Sequence, residues 1–487
     1  GTVTDIDGNF TINTTSKAKL VISYVGYTAQ TILVGDKTTI DVTLKEVANT
    51  MNEVVVTALG IKRAEKALSY NVQSVGSNEL TRNKDANFVN SLNGKVAGVN
   101  ISKSASGVGG ATRVIMRGAK SIEGDNNVLY VIDGIPIFNY SGGSDSGIMG
   151  EGRVSSEGIA DLNPEDIESI SVLAGPSAAA LYGSNAANGA ILITTKKGKE
   201  GKVDISFSSS ADFSSPLLMP EFQNTYGNKL GSYESWGEKL ATPSSYDPKK
   251  DFFRTGTNFI NALTLNMGNE FNQTFASVAT TNSRGIVPNN TYDRYNFTIR
   301  NTTRMFKNKV QLDLGASYIK QKDNNMVSQG EYWNPIVAAY LFPRGESFEG
   351  IKTFERYDNV RNFPTQYWPI SDSRFANQNP YWTAYRNLAP DDKDRFMFNA
   401  GLTYNIFDWL NVAGRIRFDK TFITSERKIY ASSFNYFAKE KGAYDYFDYK
   451  DHQTYIDAIA NINKTFGKFS LAANVGYSYS DYASLTR

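Results

Sequence analysis

The stretch IESISVLAGPSAAALYGSNAANGAILITTKKG, residues 167–198, decides the fold. Its pattern predicts strand, turn, short helix, turn, strand. Ile167, Ile170 and Val172 lead into Gly175-Pro176, which stops the strand; Ser177 stands where it can cap a helix of small residues, 178–182, that Gly183 ends. Residues 190–195 are again rich in β-branched side chains. Such small side chains on so short a helix predict close approach to other backbone. Pattern alone gives a tight α+β unit. Upstream the chain reads as a small mixed domain; downstream it changes to long alternating strands.

Composition narrows the class. With 487 residues there is room for several domains, and 13% aromatic residues with 40 glycines lean towards β structure. Lys+Arg 51 against Asp+Glu 49 leaves +2, so no basic field argues for nucleic acid. The chain has no cysteine, hence no disulfide framework, zinc–thiolate site or thiol nucleophile. Its single histidine, His452, reads as a strand-end side chain and removes most histidine-based catalysis; no Ser/His/Asp set forms, so no enzyme is expected. No metal or other cofactor is expected either. A run of 18 apolar residues is absent, which excludes a transmembrane helix and leaves a membrane barrel open, because barrel strands alternate. Residue 1 is glycine and no signal peptide is visible, so the chain reads as mature or truncated.

Residues 1–46 show period-2 segments at Phe10 and Ile12, at Leu20, Ile22 and Tyr24, at Ile32 and Val34, and at Ile40, Val42 and Leu44, which predict a small β-sandwich. Asp5-Ile6-Asp7-Gly8-Asn9 invites a calcium reading but lacks the distal Glu of such loops, and a hairpin turn is the simpler reading. Glu53-Val54-Val55-Val56-Thr57 is an extended run, by residues alone a further strand of that sandwich. Phe88, Leu92 and Val96 give the i, i+4 stripe of a helix closed by Gly98, and strands are expected at 99–102, 113–117 and 128–132, the last turning at Asp133-Gly134 into 135–137. Gly107-Val108-Gly109-Gly110 fits no phosphate-loop spacing and reads as a turn; Glu123, Asp125, Asn126 and Asn127 read as a solvated loop rather than a cation site.

Beyond residue 202 the alternation is sustained. Leu410, Val412, Ile416, Phe418 and Phe422 share one face, and Asn411, Arg415, Arg417, Asp419 and Thr421 the other. Nine strands are expected, near 203–213, 258–268, 271–282, 292–304, 309–321, 393–406, 410–423, 453–465 and 468–482, with connections that alternate tight and long. That parity is what an up-and-down membrane barrel requires. Tyr292, Tyr318, Tyr404, Phe407, Trp409 and Phe466 fall near strand ends, where an interfacial girdle belongs.

The segments LxGPSAAALYGSxAANGxILITTKKG, Asp161-Leu162-Asn163-Pro164, TRVIMRG, NVLYVIDGIPI and EVVVTALGIKR closely resemble those of SusC-like TonB-dependent outer-membrane transporters, and the resemblance covers essentially the whole chain. It implies a mainly β fold: a partial carboxypeptidase-regulatory-like β-sandwich at 1–46, a TonB box segment at 47–60, an α+β plug domain at 61–200, and at 201–487 the N-terminal part of a transmembrane antiparallel β-barrel. Nine strands at about 32 residues each leave a barrel of roughly 22 strands, about 700 residues, incomplete, and Arg487 lacks a terminal aromatic neighbour, so truncation at both ends is expected.

The same resemblance implies energy-coupled import of an oligosaccharide or oligopeptide across the outer membrane of a Gram-negative, Bacteroidetes-like cell. Implied partners are TonB with its ExbB-ExbD complex, a SusD-like lipoprotein lid, outer-membrane lipid, and a second SusC–SusD pair in a dimer. Glu53, Val54, Val55, Val56 and Thr57 would bind TonB by strand addition. Trp333, Tyr367, Trp368, Tyr381 and Trp382, in a loop that also holds Tyr340 and Phe342, are candidate substrate contacts, with packing of the loop on itself as the alternative. A passive porin or adhesin on the same barrel is the rival function; it leaves the plug unexplained.

Overall fold

The computed structural model describes residues 2–5, 8–23, 30–44, 54–56, 62–64, 72–122, 126–139, 152–153, 157–372, 378–435, 438–467 and 469–487. It divides into two compact units, Gly1–Val55 with Lys62–Ser69, and Val56–Ile61 with Tyr70–Arg487.

In the first unit, strands β1 (Lys19–Ile22) and β2 (Gln30–Leu33) pair antiparallel, Leu20 opposite Ile32. Residues 10–12 and 40–44, expected as strands of the sandwich, belong to no assigned strand. A strand persists only where its N–H and C=O row finds partners, and alternation alone supplies none. Asp5 is spent on a turn: its Oδ1 accepts from Asn9 N at 2.8 Å and its carbonyl from Gly8 N at 3.1 Å. Strand β3 (Val54–Val56) pairs with β4 (Lys62–Ala64) in a separate two-stranded sheet.

The second unit begins with a sheet ordered β5-β10-β11-β8-β9, where β5 is Val72–Gly76, β8 Leu129–Ile132, β9 Ile135–Ile137, β10 Ile167–Leu173 and β11 Ala190–Thr195. β10 runs antiparallel to both β5 and β11, and β11 runs parallel to β8. β6 (Val99–Lys103) and β7 (Thr112–Met116) pair beside it. Leu80, Val89, Ile159, Ile170 and Ile193 meet in one apolar core under this sheet.

Two local expectations change. The helix after β10 spans Gly175–Tyr182 and starts at Ala174 without a side-chain cap; Pro176, which needs no N–H partner, occupies its first turn in place of a Ser177 cap. The close approach is concentrated at Gly175, where a Cβ would stand 2.5 Å from the Ala187 carbonyl oxygen, and Gly183 ends the helix at φ +75°. The stripe Phe88, Leu92 and Val96 is buried, yet only Phe88–Leu92 is helical and it is a 3-10 turn. Asn87 caps this turn, its Oδ1 accepting from Val89 N at 3.2 Å while its Nδ2 donates to Thr112 and Glu157, and Asn90, Asn93 and Gly94, poor helix formers, keep the turn from extending.

The rest of the unit is an antiparallel meander. Strands β12 (Gly201–Ser214), β13 (Gly256–Gly268), β14 (Asn272–Arg284), β15 (Thr291–Met305) and β16 (Val310–Asn324) follow one another. A loop then carries the hairpin β17 (Glu355–Asp358) with β18 (Phe363–Gln366), and the short β19 (Asn387–Leu388). β20 (Pro390–Phe407), β21 (Leu410–Ile429), β22 (Ala443–Phe466) and β23 (Phe469–Thr486) complete the wall. Each long strand pairs with its sequence neighbour, and β12 and β23 lie at the ends of the path, so the wall is open.

All nine expected strands are present, and tight turns at one end alternate with long connections at the other. One long connection is shorter than expected. Residues 424–429 and 443–452 belong to β21 and β22, because mixed tyrosines and charges on both faces hide the period where strands extend past the apolar band; His452 accordingly lies well inside β22.

The two faces of the wall differ by a one-residue offset. Leu263, Val278, Phe297, Tyr318 and Phe396 are register neighbours; the outward side chains of Leu263, Val278, Phe297 and Phe396 are exposed, Phe297 at 46% and Phe396 at 50%, and Tyr318 is half-buried. The row beside them, Ala262, Ala279, Asn296, Ile319 and Arg395, is buried throughout. Slipping one residue along a strand exchanges the faces, so the pattern pins the register. Tyr292 departs from the expected girdle: it points inward and is 1% exposed.

Candidate functional site at the plug and wall

The small sheet and its helices sit against the inner face of the meander through polar contacts. At the loop end, Val327 N donates to Ser106 O and Gln329 N to Gly152 O, both at 3.0 Å. Gly109, at φ +81°, lies on the ring of Tyr292, where any Cβ would come within 2.2 Å of a ring carbon. The glycine turn at 107–110 thus lets plug backbone lie flat on the wall.

Midway, Asp161 is the centre of a buried ionic cluster. Its carboxylate accepts from Lys393 Nζ at 2.5 Å and from Arg395 Nη1 at 2.8 Å, and Arg395 also forks onto Asp419 at 2.6 and 2.8 Å. Asp161 is 1% exposed. Asn296 Nδ2 donates to the Asp161 carbonyl at 2.6 Å, and Arg294 reaches the carbonyls of Ala86 and Ala160. At the turn end, Lys84 bridges Glu165 (2.7 Å) and Ser208, Lys197 pairs with Asp313 at 3.0 Å, and Arg415 donates to the Asp133 carbonyl at 3.1 Å. Burial pushes the Glu165 carboxyl up, but hydrogen bonds from Lys84 and Ser208 with the charges of Lys84 and Lys196 outweigh it and hold the carboxyl below its usual range.

Within the plug, Glu157 is buried with no cation at ion-pair distance among the described residues. Its Oε1 accepts from Asn87 Nδ2 at 2.8 Å and Thr112 N at 2.9 Å, and its Oε2 from Asn139 Nδ2 at 2.8 Å. Burial raises its pKa, and these three neighbours oppose the rise without cancelling it.

Of the residues expected to bind TonB, Val54, Val55 and Val56 form β3, while Glu53 and Thr57 lie outside the described residues. The expected substrate contacts fall in the long loop over the wall's loop end. Trp382 is 1% exposed, with its Nε1 donating to Ser433 Oγ at 2.9 Å. Trp333 is 7% exposed, packed with Ile429 and Ala438 under the guanidinium of Arg427. Tyr367, Trp368 and Tyr381 are half-buried at the margin of a core formed by Tyr246, Phe252, Phe342 and Phe348. The structure thus brings Tyr367, Trp368 and Tyr381 together and places Trp333 and Trp382 in separate packing. Of the expected solvated loop, Glu123 and Asp125 lie outside the described residues; Asn126 closes a turn on Lys120 and Ser121.

The sequence did not single out Asp161, Lys393 and Arg395 as a unit. The available signal was charge at alternating inward positions, Lys393 and Arg395 on β20 and Arg415, Arg417 and Asp419 on β21, which only a buried polar partner makes tolerable.

Residues 64–190 match the TonB-dependent receptor plug domain, and residues 1–56 the CarboxypepD_reg-like domain. TonB-dependent receptor SusC of Bacteroides thetaiotaomicron is 31% identical over 78% of this chain and 36% of its own length. TonB-dependent receptor P26 of Formosa agariphila is 30% identical over 72% of the chain and 35% of its own. The RagAB peptide importer in its open-open state superposes with a TM-score of 0.66 at 19% identity, over 89% of this chain and 49% of that one. The chain therefore spans half or less of the length of the proteins it matches. With a plug domain seated on a barrel wall and a CarboxypepD_reg-like module before it, the chain belongs to the SusC-like TonB-dependent receptors.

Proposed function

We propose that the protein imports an oligosaccharide or oligopeptide across the outer membrane, driven by TonB and its ExbB-ExbD complex and working with a SusD-like lipoprotein over the loop end, in paired SusC–SusD units. The observation that carries this reading is the two-faced wall. Its outer row offers exposed Leu263, Val278, Phe297 and Phe396, suited to lipid, while its inner row is spent on a plug that occupies the lumen side. A passive pore gains nothing from a plug bound by so many inward charges.

Strand addition suits β3, a short β-branched strand in a small two-stranded sheet. Binding through backbone groups makes donor loss matter more than side-chain truncation. Tyr367 and Trp368, half-buried on the loop, remain the ligand contacts this reading favours over buried Trp382.

The test measures uptake in a deletion strain carrying each variant, with a surface-binding control in de-energised cells. Proline at one or two of Val54, Val55 and Val56 is expected to abolish energised uptake, with alanine tolerated and surface capture kept. Uptake that persists without an energised inner membrane would favour the passive pore.

A further inference from the structure

A small pocket of about 30 Å³ lies between plug and wall, beside the Asp161 cluster. Lys393, Arg395, Asp419 and Asp451 line it from the wall. The first three are engaged, Lys393 and Arg395 on Asp161 and Arg395 also on Asp419. Asp451 stands apart. It pairs in register with Thr421, two residues nearer the loop end than Asp419, and is 7% exposed. Its Oδ1 accepts from the Tyr482 hydroxyl at 3.2 Å, while its Oδ2 is buried without a hydrogen-bond partner. No cation stands at ion-pair distance from it among the described residues; the adjacent Lys450 and His452 point to the other face of β22 and meet Asp448 and Asp481. Two aromatic rings complete the lining. Phe138, just past β9 of the plug, stacks on Tyr482 of β23 with ring centres 3.8 Å apart, and the two are 47% and 36% exposed. Gln453 fixes this arrangement, its Oε1 accepting from Phe138 N at 3.0 Å and its Nε2 donating to Pro136 O at 3.2 Å.

A buried carboxylate that lacks both a cation and a donor for one oxygen is costly. One water can supply the donor. Only a cation also offsets the charge and gains from the neighbouring rings, and an ammonium group is about the size of a water. We propose that this pocket binds a protonated primary amine of the imported oligomer, held by Asp451 with Phe138 and Tyr482 alongside, so that the protein selects cargo with a free amine. The proposal rests on the import reading. The space suits one end group, a peptide amino terminus or the amine of an amino sugar. Because Phe138 belongs to the plug and Asp451 to the wall, the site is whole only while the plug is seated, and displacement of the plug splits it.

The test uses the full protein in the outer membrane of de-energised cells, offered two probe pools. One contains lysine-free hexapeptides with free or acetylated amino termini; the other contains amino-sugar oligomers with free or N-acetylated amines. Mass spectrometry of retained species is expected to show about tenfold enrichment of the free amine in at least one pool, which identifies the source of the group. Asp451→Asn keeps the shape and removes the charge, so it should abolish that enrichment, while Asp451→Glu should keep part of it. Phe138→Leu, which removes a ring, should lower it about threefold. Should Asp451→Asn fall below wild-type surface levels, Phe138→Leu and Asp451→Glu decide. No preference for the free over the blocked form means that Asp451 holds water only, and that result, or a preference untouched by the variants, overturns the proposal. If energised cells import retained species without such a preference, the proposal falls while the import reading stands; if energised cells import nothing, both fall.

Discussion

Asp161 shows how much rests on a single inward carboxylate. It compensates two cations, Lys393 and Arg395, that the wall buries at 5% and 3% exposure. Breaking a buried pair by removing one partner typically costs about 3–5 kcal/mol, because a charge stays behind in a poor solvent. Asp161→Asn is therefore expected to lower the unfolding midpoint of the detergent-solubilised protein clearly, and adding Lys393→Met should recover part of the loss by removing the stranded charge. A second variant that adds its own full cost would show that the two groups are not coupled. Glu157 makes the opposite case, a carboxylate buried among neutral donors. Its folded pKa is raised by burial, so its contribution to stability is fully present below the ordinary glutamate pKa and is lost as pH rises through the raised value. The wild-type midpoint should thus fall relative to Glu157→Gln as pH climbs from about 4 towards neutrality. Parallel curves for the two proteins would mean that the carboxyl titrates as if exposed.

Among elements, strands were legible and loops were not. Alternation in residues 410–422 follows from a fixed pleat, so the faces read in the sequence are the faces in the structure: Arg415 and Asp419 inward, Phe418 outward at 45% exposure. Tyr292 misled because a strand-end aromatic has no sequence mark for which side it faces, and its partner Gly109 lies far away in the chain. The ionic cluster was hidden for the same reason, since Asp161 and Arg395 meet only through tertiary packing. In the long loop the sequence showed aromatics but not their use. Tyr246 stacks on Phe348 with ring centres 4.2 Å apart and meets Phe342 at 5.4 Å, joining residues from two long connections into one core. Arg344 is sandwiched between Phe222 and Tyr246, each 4.8 Å from its guanidinium carbon, and burial pulls its pKa down. Phe342→Ala should then cost the loop about 3–5 kcal/mol and free it from the wall. The expected signature is rapid proteolysis near exposed Val360 with the strands intact; unchanged proteolysis would mean that the loop is held by its hydrogen bonds instead.

At the scale of the molecule, the plug is held by two kinds of surface that respond differently to force. Inside it, Val75, Leu80, Val89, Ile170 and Ile193 form a dry apolar core that water cannot replace cheaply. Between plug and wall the contacts are mostly hydrogen bonds and ion pairs, which entering water can substitute group by group. If TonB pulls on the chain N-terminal to the plug, as proposed, the plug should therefore be displaced along the wall before its central sheet comes apart. A disulfide across that sheet separates the two routes. Ser171 and Leu192 are directly paired on β10 and β11, antiparallel neighbours whose Cα spacing of about 4.5–5.5 Å suits a bridge. With no native cysteine, Ser171→Cys with Leu192→Cys introduces the only pair of thiols. Energised uptake should survive oxidation of this pair if displacement alone opens the path. Uptake lost on oxidation and restored by reductant, with surface binding constant throughout, would instead show that transport requires β10 and β11 to separate.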